Sequence, residues 1–119
     1  MTTRRLFQFA GWACVIAIAM LSLVAPALRP VTILPHDLEH AAIFALTGLA
    51  LGLGYPNRVQ LHMSVLIVFS AAIELAQLYA PGRHARVIDF AVDALAACAG
   101  VAFAAAVSWM SARRAGSAA

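Results

Sequence analysis

Four apolar stretches, at residues 6–25, 38–55, 61–80 and 88–110, dictate most of what this chain can become. Each is about 18 to 23 residues long, and at ~1.5 Å of rise per residue a helix of that length crosses a hydrocarbon core of ~30 Å. Strands are excluded, because backbone groups in lipid must be satisfied within their own segment and no stretch alternates with a period of two. With 64% of its 119 residues hydrophobic and 11% charged, the chain does not have the balance of a soluble domain. The expected fold is all-α: an integral membrane four-helix bundle, one domain covering residues 1–119.

Helix-stopping residues separate the spans. Pro26, Pro30 and Pro35 fall in the first connection, Pro56 and Asn57 in the second, and Pro81-Gly82 in the third. The connections are short, so four antiparallel neighbours in one bundle are expected, and the small, basic tail from Ser111 to Ala119 is expected to fray. Arginine supplies all eight positive side chains. With the N-terminus inside, Arg4, Arg5, Arg58, Arg113 and Arg114 are cytoplasmic while Arg29, Arg83 and Arg86 are external, which favours N-in/C-in. The net charge of +3 is then a topology signal and an attraction to anionic lipid, with no nucleic acid partner expected. Arg4-Arg5, an apolar run and Ala25-Pro26-Ala27 imitate a cleavable leader. The run exceeds the ~7–15 residues of a leader, and proline spoils the small-residue site, so an uncleaved first span is expected.

Gly48 and Gly52 form a GxxxG pair, and Ala96, Gly100 and Ala104 form a small-residue stripe, so helices can approach closely there. Packing within the bundle is the expected use; a homo-oligomer seam through Gly48/Gly52 or Gly100 is the alternative. Cys14 and Cys98 sit mid-span and read as small apolar packing.

The five acidic residues, Asp37, Glu39, Glu74, Asp89 and Asp93, all fall near one end of this hairpin arrangement. A carboxylate at the centre of a membrane helix costs roughly 2.5–3.5 kcal/mol on insertion scales, so such residues require partners or a function. His36, Asp37, Glu39 and His40 open the second span; Glu74 and Gln77 close the third; Arg83, His84, Arg86, Asp89 and Asp93 lie in the third connection and the start of the fourth. Counting back from Pro81 puts Glu74 about 10 Å below the end of its helix, with Asp93 at a similar depth. Structural roles compete with function here. Asp89 suits the positive end of a helix, Arg83 or Arg86 can neutralise a carboxylate, and Glu74 with Gln77 can join helices. Taken singly, Arg86, His62 and Glu39 are best read structurally. The convergence of Glu74, Arg83, Asp89 and Asp93 from unrelated segments favours a functional pocket.

Sharper motifs fit poorly. His36-Asp37-Leu38-Glu39-His40 satisfies H-x-x-E-H, the inverted zinc-protease signature, but it follows Pro35 at the start of a membrane helix with no catalytic domain around it. Ser64 and Ser70 lack a nucleophile elbow, and neither cysteine has charged surroundings. Neither a metal nor a cofactor is expected.

The run LEHAAIFALTGLALG around His40, followed by ELAQLYAPGRHARVIDFAVDALAACAG from Glu74 to Gly100, resembles the VanZ-like small membrane proteins. The likeness covers spans two to four and rests on Glu-x-x-Gln, Pro-Gly-Arg and Asp-x-x-x-Asp/Asn spacing. It implies a multi-span bundle in the bacterial cytoplasmic membrane and an association with low-level resistance to the glycopeptide teicoplanin. It also implies His40, Glu74, Gln77, Arg83, Asp89 and Asp93 as the functional positions. Many members carry Asp-Lys where this chain has His36-Asp37, Asn where it has Asp93, and Gly where it has Ala97. The resulting expectation is an outward-facing polar pocket that binds or acts on a cell-envelope component, a lipid head group or a cell-wall intermediate. Arg83 would grip a phosphate and His40 would relay a proton. A small proton- or cation-coupled transporter subunit and a non-catalytic assembly factor are the alternatives.

Overall fold

The computed structural model describes residues 1–118, and all of its regular structure is helical. Helix α1 (Thr3–Leu23) is followed by a 3-10 turn (Pro26–Leu28), α2 (His36–Gly54), α3 (Val59–Gln77) and α4 (Val87–Ser117). Prolines delimit these elements as their missing N–H groups require: Pro35 immediately precedes α2, and Pro26 opens the 3-10 turn. Three helices, α1, α3 and α4, are long and apolar enough to cross a membrane. The fourth expected span, α2, opens with four polar side chains in five residues and is not among those three.

The outer surface has a membrane protein's character. On α1, Phe9, Trp12, Ile16 and Met20 recur every three or four residues along one exposed face, and Leu61, Val65 and Val68 are likewise exposed on α3. Water would not favour such a surface; hydrocarbon does. The core is narrow by comparison, formed by Ile18, Phe44, Leu51, Leu66, Ile73, Ala97 and Val101.

Helix order departs from the expected run of sequential antiparallel neighbours. The most extensive contact joins α2 to α4, which run in the same direction, followed by α1 with α2 and α3 with α4; α2 barely touches α3. Small residues explain the preference. A Cβ added at Gly48 would meet the Ala97 carbonyl oxygen at 2.1 Å, and one at Gly100 would meet the Ala45 oxygen at 2.1 Å. At Gly52 it would meet the Ala104 Cβ at 2.5 Å. Backbones this close gain dispersion contacts over the whole crossing, whereas α3 offers α2 no comparable face of glycine. The GxxxG pair and Gly100 therefore serve a contact within the chain, which buries the residues that a homo-oligomer seam would have used.

Two boundaries also differ from expectation. Helix α3 stops at Gln77 instead of reaching residue 80, since Pro81 disfavours helix in the residue before it. Leu78, Tyr79 and Ala80 close with short-range bonds to Leu75, Ala76 and Gln77. At the other end α4 continues to Ser117 through the tail expected to fray. Its Ala, Ser and Arg residues tolerate helix, Ser111 Oγ donates to the Val107 carbonyl at 2.9 Å, and Arg113 lies 4.4 Å from the Trp109 ring centroid. Ala119 lies outside the described residues.

Candidate functional site

At one end of the bundle meet the C-terminal ends of α1 and α3 and the N-terminal ends of α2 and α4, so the three polar segments do converge. The centre is a pair. His40 Nδ1 lies 3.2 Å from Asp93 Oδ2, with His40 only 7% exposed and Asp93 fully buried. A carboxylate accepts, so Nδ1–H donates and Nε2 is the ring's remaining nitrogen. Asp93 Oδ1 has no partner among the described residues. The register of α2 on α4 creates this pair: position 48 lies against 97 and 101, 52 lies against 104, and two turns earlier 40 lies against 93. Asp93 is six residues into α4, about 9 Å from its start, near the depth expected from sequence.

Glu74 sits shallower than expected, within the last turn of α3, because that helix stops early. It is buried. Its Oε2 accepts the Arg86 backbone N–H at 3.1 Å, supporting the N-terminal end of α4, and its Oε1 has no partner among the described residues. Asp89, in the first turn of α4, lies 3.8 Å from its own-helix neighbour Arg86, a loose ion pair whose arginine side chain is mostly exposed. His36, Asp37, Asp89 and Asp93 border a space of about 10 Å³ beside His40, the size of a single water.

Arg83 does something other than grip an anion. Pro81 and Gly82, the latter at φ 73°, make a turn closed by Arg83 N–H donating to the Ala80 carbonyl at 3.2 Å. This is the residue pattern of a type II turn, in which only glycine sits easily at the third position. The turn carries the guanidinium to the end of α1. There Nη2 donates to the Leu21 and Val24 carbonyls, both at 2.9 Å, and Nε donates to Val24 at 3.3 Å. Gln77 joins it, donating from Nε2 to the Ser22 carbonyl at 3.4 Å. Both residues thus satisfy orphan carbonyls at a helix C-terminus, where positive charge is favourable. Burial and the like charge of Arg29 pull the Arg83 guanidinium below its ordinary value.

The residue missing from the sequence-based set is Arg29. Its Nη1 donates to His36 Nδ1 at 3.3 Å, which requires a neutral His36, and the His36 ring lies 4.3 Å from that of His40. Arg29, Glu39 and His40 mark the polar end of a cavity of about 360 Å³ whose walls include Ile18, Leu21 and Leu46. Pro26 and Pro30, flanking Arg29, were the available signal, since they fold the first connection back over the start of α2. Both histidines of the H-x-x-E-H run use Nδ1 for other partners, and no group of three potential ligands converges on a metal site among the described residues.

No family model, curated protein or solved structure matches the chain. The likeness to VanZ-like proteins thus rests on the quoted motifs. Of their six positions, His40, Asp93, Glu74 and Asp89 gather around the buried pair, whereas Gln77 and Arg83 hold α1 over it.

Replacing Arg83 with methionine keeps much of the side-chain volume but leaves the Leu21 and Val24 carbonyls without their donors. A loss of about 1–3 kcal/mol is expected, read as a lower unfolding temperature in detergent micelles by circular dichroism, with partial recovery in Arg83→Lys. An unfolding temperature equal to wild type in Arg83→Met would remove the capping role.

Proposed function

We propose that this protein is a bacterial cytoplasmic-membrane protein that binds or acts on an amphiphile of the cell envelope at its outward-facing polar end. The carrying observation is the α1–α2 cavity, apolar along its walls and bounded at one end by Arg29, Glu39 and His40. A site of that form suits a molecule with a polar, phosphate-bearing head and a hydrocarbon tail. Arg29 offers the positive charge that Arg83 has committed elsewhere, and His40, oriented by Asp93, supplies a hydrogen bond or a proton. Exposed Leu21 and Leu46 at the cavity's side suit arrival from the bilayer.

The arginine distribution supports N-in/C-in with α2 as a fourth span, which turns the polar end outward. The VanZ-like motifs point the same way, toward an envelope component and a role in glycopeptide resistance. An ion-coupled transporter gains less support. One to three helical turns below the His40–Asp93 pair the interior consists of Phe44, Ala97, Leu66 and Val101, and the buried hydroxyls of Thr47 and Ser70 donate to carbonyls of their own helices.

Phosphatidylglycerol, an anionic phospholipid, is a usable probe. Protein taken from mixed-lipid nanodiscs into mild detergent should retain it in native mass spectra, and Arg29→Ala and His40→Gln should each lower retention about five- to tenfold, or ~1–1.4 kcal/mol. Unchanged retention in both variants would sink the head-group site. Orientation has its own readout: reporters active only in the periplasm should work when fused after His84 and stay silent after Asn57, and the reverse pattern would place the polar end in the cytoplasm.

A further inference from the structure

A second cavity, of about 410 Å³, lies between α3 and α4, and it shares no lining residue with the cavity between α1 and α2. Ala71, Glu74, Leu75, Leu78, Arg86 and Phe90 are among the residues that line it. Its volume falls within the ~300–1,000 Å³ of ordinary ligand sites. Leu75 and Leu78 are 63% and 61% exposed, so the cavity's lip lies on the lateral surface. Glu74, in the last turn of α3, is 7% exposed, with Oε2 bonded to the Arg86 N–H and Oε1 buried without a partner among the described residues. A carboxylate oxygen withheld from water and left without a donor is unfavourable by about 1–3 kcal/mol. Glu74 is among the residues that line the cavity, and a turn of its side chain that opens Oε1 to the cavity lets an N–H or O–H group satisfy that oxygen, at the end of a helix where head groups meet hydrocarbon.

The two charged residues that line the cavity narrow the choice. Glu74 contributes an acceptor that is negative when ionised, and Arg86 contributes a guanidinium that is mostly exposed and only loosely engaged by Asp89 at 3.8 Å. We propose that this cavity is a second lipid site, specific for a zwitterionic phospholipid with a primary ammonium head. The ammonium donates to the Glu74 carboxylate, the phosphate sits against Arg86, and an acyl chain follows Leu75, Leu78 and Phe90. A choline head carries no N–H to donate, and a hydroxyl head without an amine can donate but leaves the acid's negative charge uncompensated. The site is independent of the head-group reading of the α1–α2 cavity.

The test uses the full chain in nanodiscs of phosphatidylethanolamine, phosphatidylcholine and phosphatidylglycerol in equal parts, followed by mild extraction and native mass spectrometry. Wild type should retain phosphatidylethanolamine about tenfold over phosphatidylcholine, equivalent to ~1.4 kcal/mol. Glu74→Gln keeps an acceptor for the Arg86 N–H while placing an amide N–H2 where Oε1 stood, so the fold should survive and the preference should vanish. Ala71→Trp, which fills the cavity one turn before Glu74 while keeping the carboxylate in the chain, should lower phosphatidylethanolamine retention by a similar factor. Arg29→Ala should leave the preference intact, which separates failure here from failure at the first cavity. Equal retention of the two lipids by wild type, an undiminished preference in Glu74→Gln, or loss of the preference in Arg29→Ala overturns the proposal.

Discussion

The parallel crossing of α2 and α4 is the contact on which the rest of the molecule depends. Gly48 and Gly100 let each helix lie against the other's backbone, and an interaction with so little room for adjustment fixes rotation and translation together. Once Gly48 lies against Ala97, the next ionisable positions toward the helix starts, His40 and Asp93, come to face each other in the interior. The contact therefore both builds the bundle and forces a hydrogen-bonded polar pair into it. Breaking such a pair by removing one member costs about 3–5 kcal/mol, but replacing both members with well-packed apolar groups is often neutral or stabilising. A pair of this kind is weak evidence for stability and better evidence for another use.

Around that pair the remaining polar groups divide their work. Arg83 and Gln77 serve the carbonyls at the end of α1, and Glu74 serves an N–H at the start of α4. The end of α1 and the start of α4 are thereby closed by side chains from other segments, which suits helix ends near hydrocarbon. The far end is closed more simply. Gln8 donates to the Gly54 carbonyl at 3.0 Å, and the Trp12 indole N–H donates to the Tyr55 hydroxyl at 3.3 Å. All five acidic residues gather at one end, beside two cavities with apolar walls, and the core cluster below them is apolar. This asymmetry fits the proposed amphiphile site at one face of the membrane.

Much of this was legible in the sequence because it depends on length and order. Apolar stretches separated by proline give helices, and short connections bring Glu74, Asp89 and His40 to one end whatever the details of packing. The partners of individual side chains were not legible in the same way. Arg83 reads as an anion grip because its obvious partners in the sequence are carboxylates, yet its acceptors are backbone carbonyls of Leu21 and Val24, 62 and 59 residues away. Helix order was likewise hidden. Connectivity suggests that α2 should pack on α3, and only the depth of the Gly48 and Gly100 contacts makes α4 its closer companion. Arg29 was overlooked because a lone arginine in a connection reads first as a topology signal.

In the proposed function the His40–Asp93 pair serves recognition and not stability. The most direct measurement compares the unfolding temperature and the phosphatidylglycerol retention of wild type with those of the double variant His40→Phe/Asp93→Leu. The account predicts a variant that unfolds at the same or a higher temperature and has lost the lipid. A variant that unfolds at a markedly lower temperature while retaining the lipid as wild type does would contradict it.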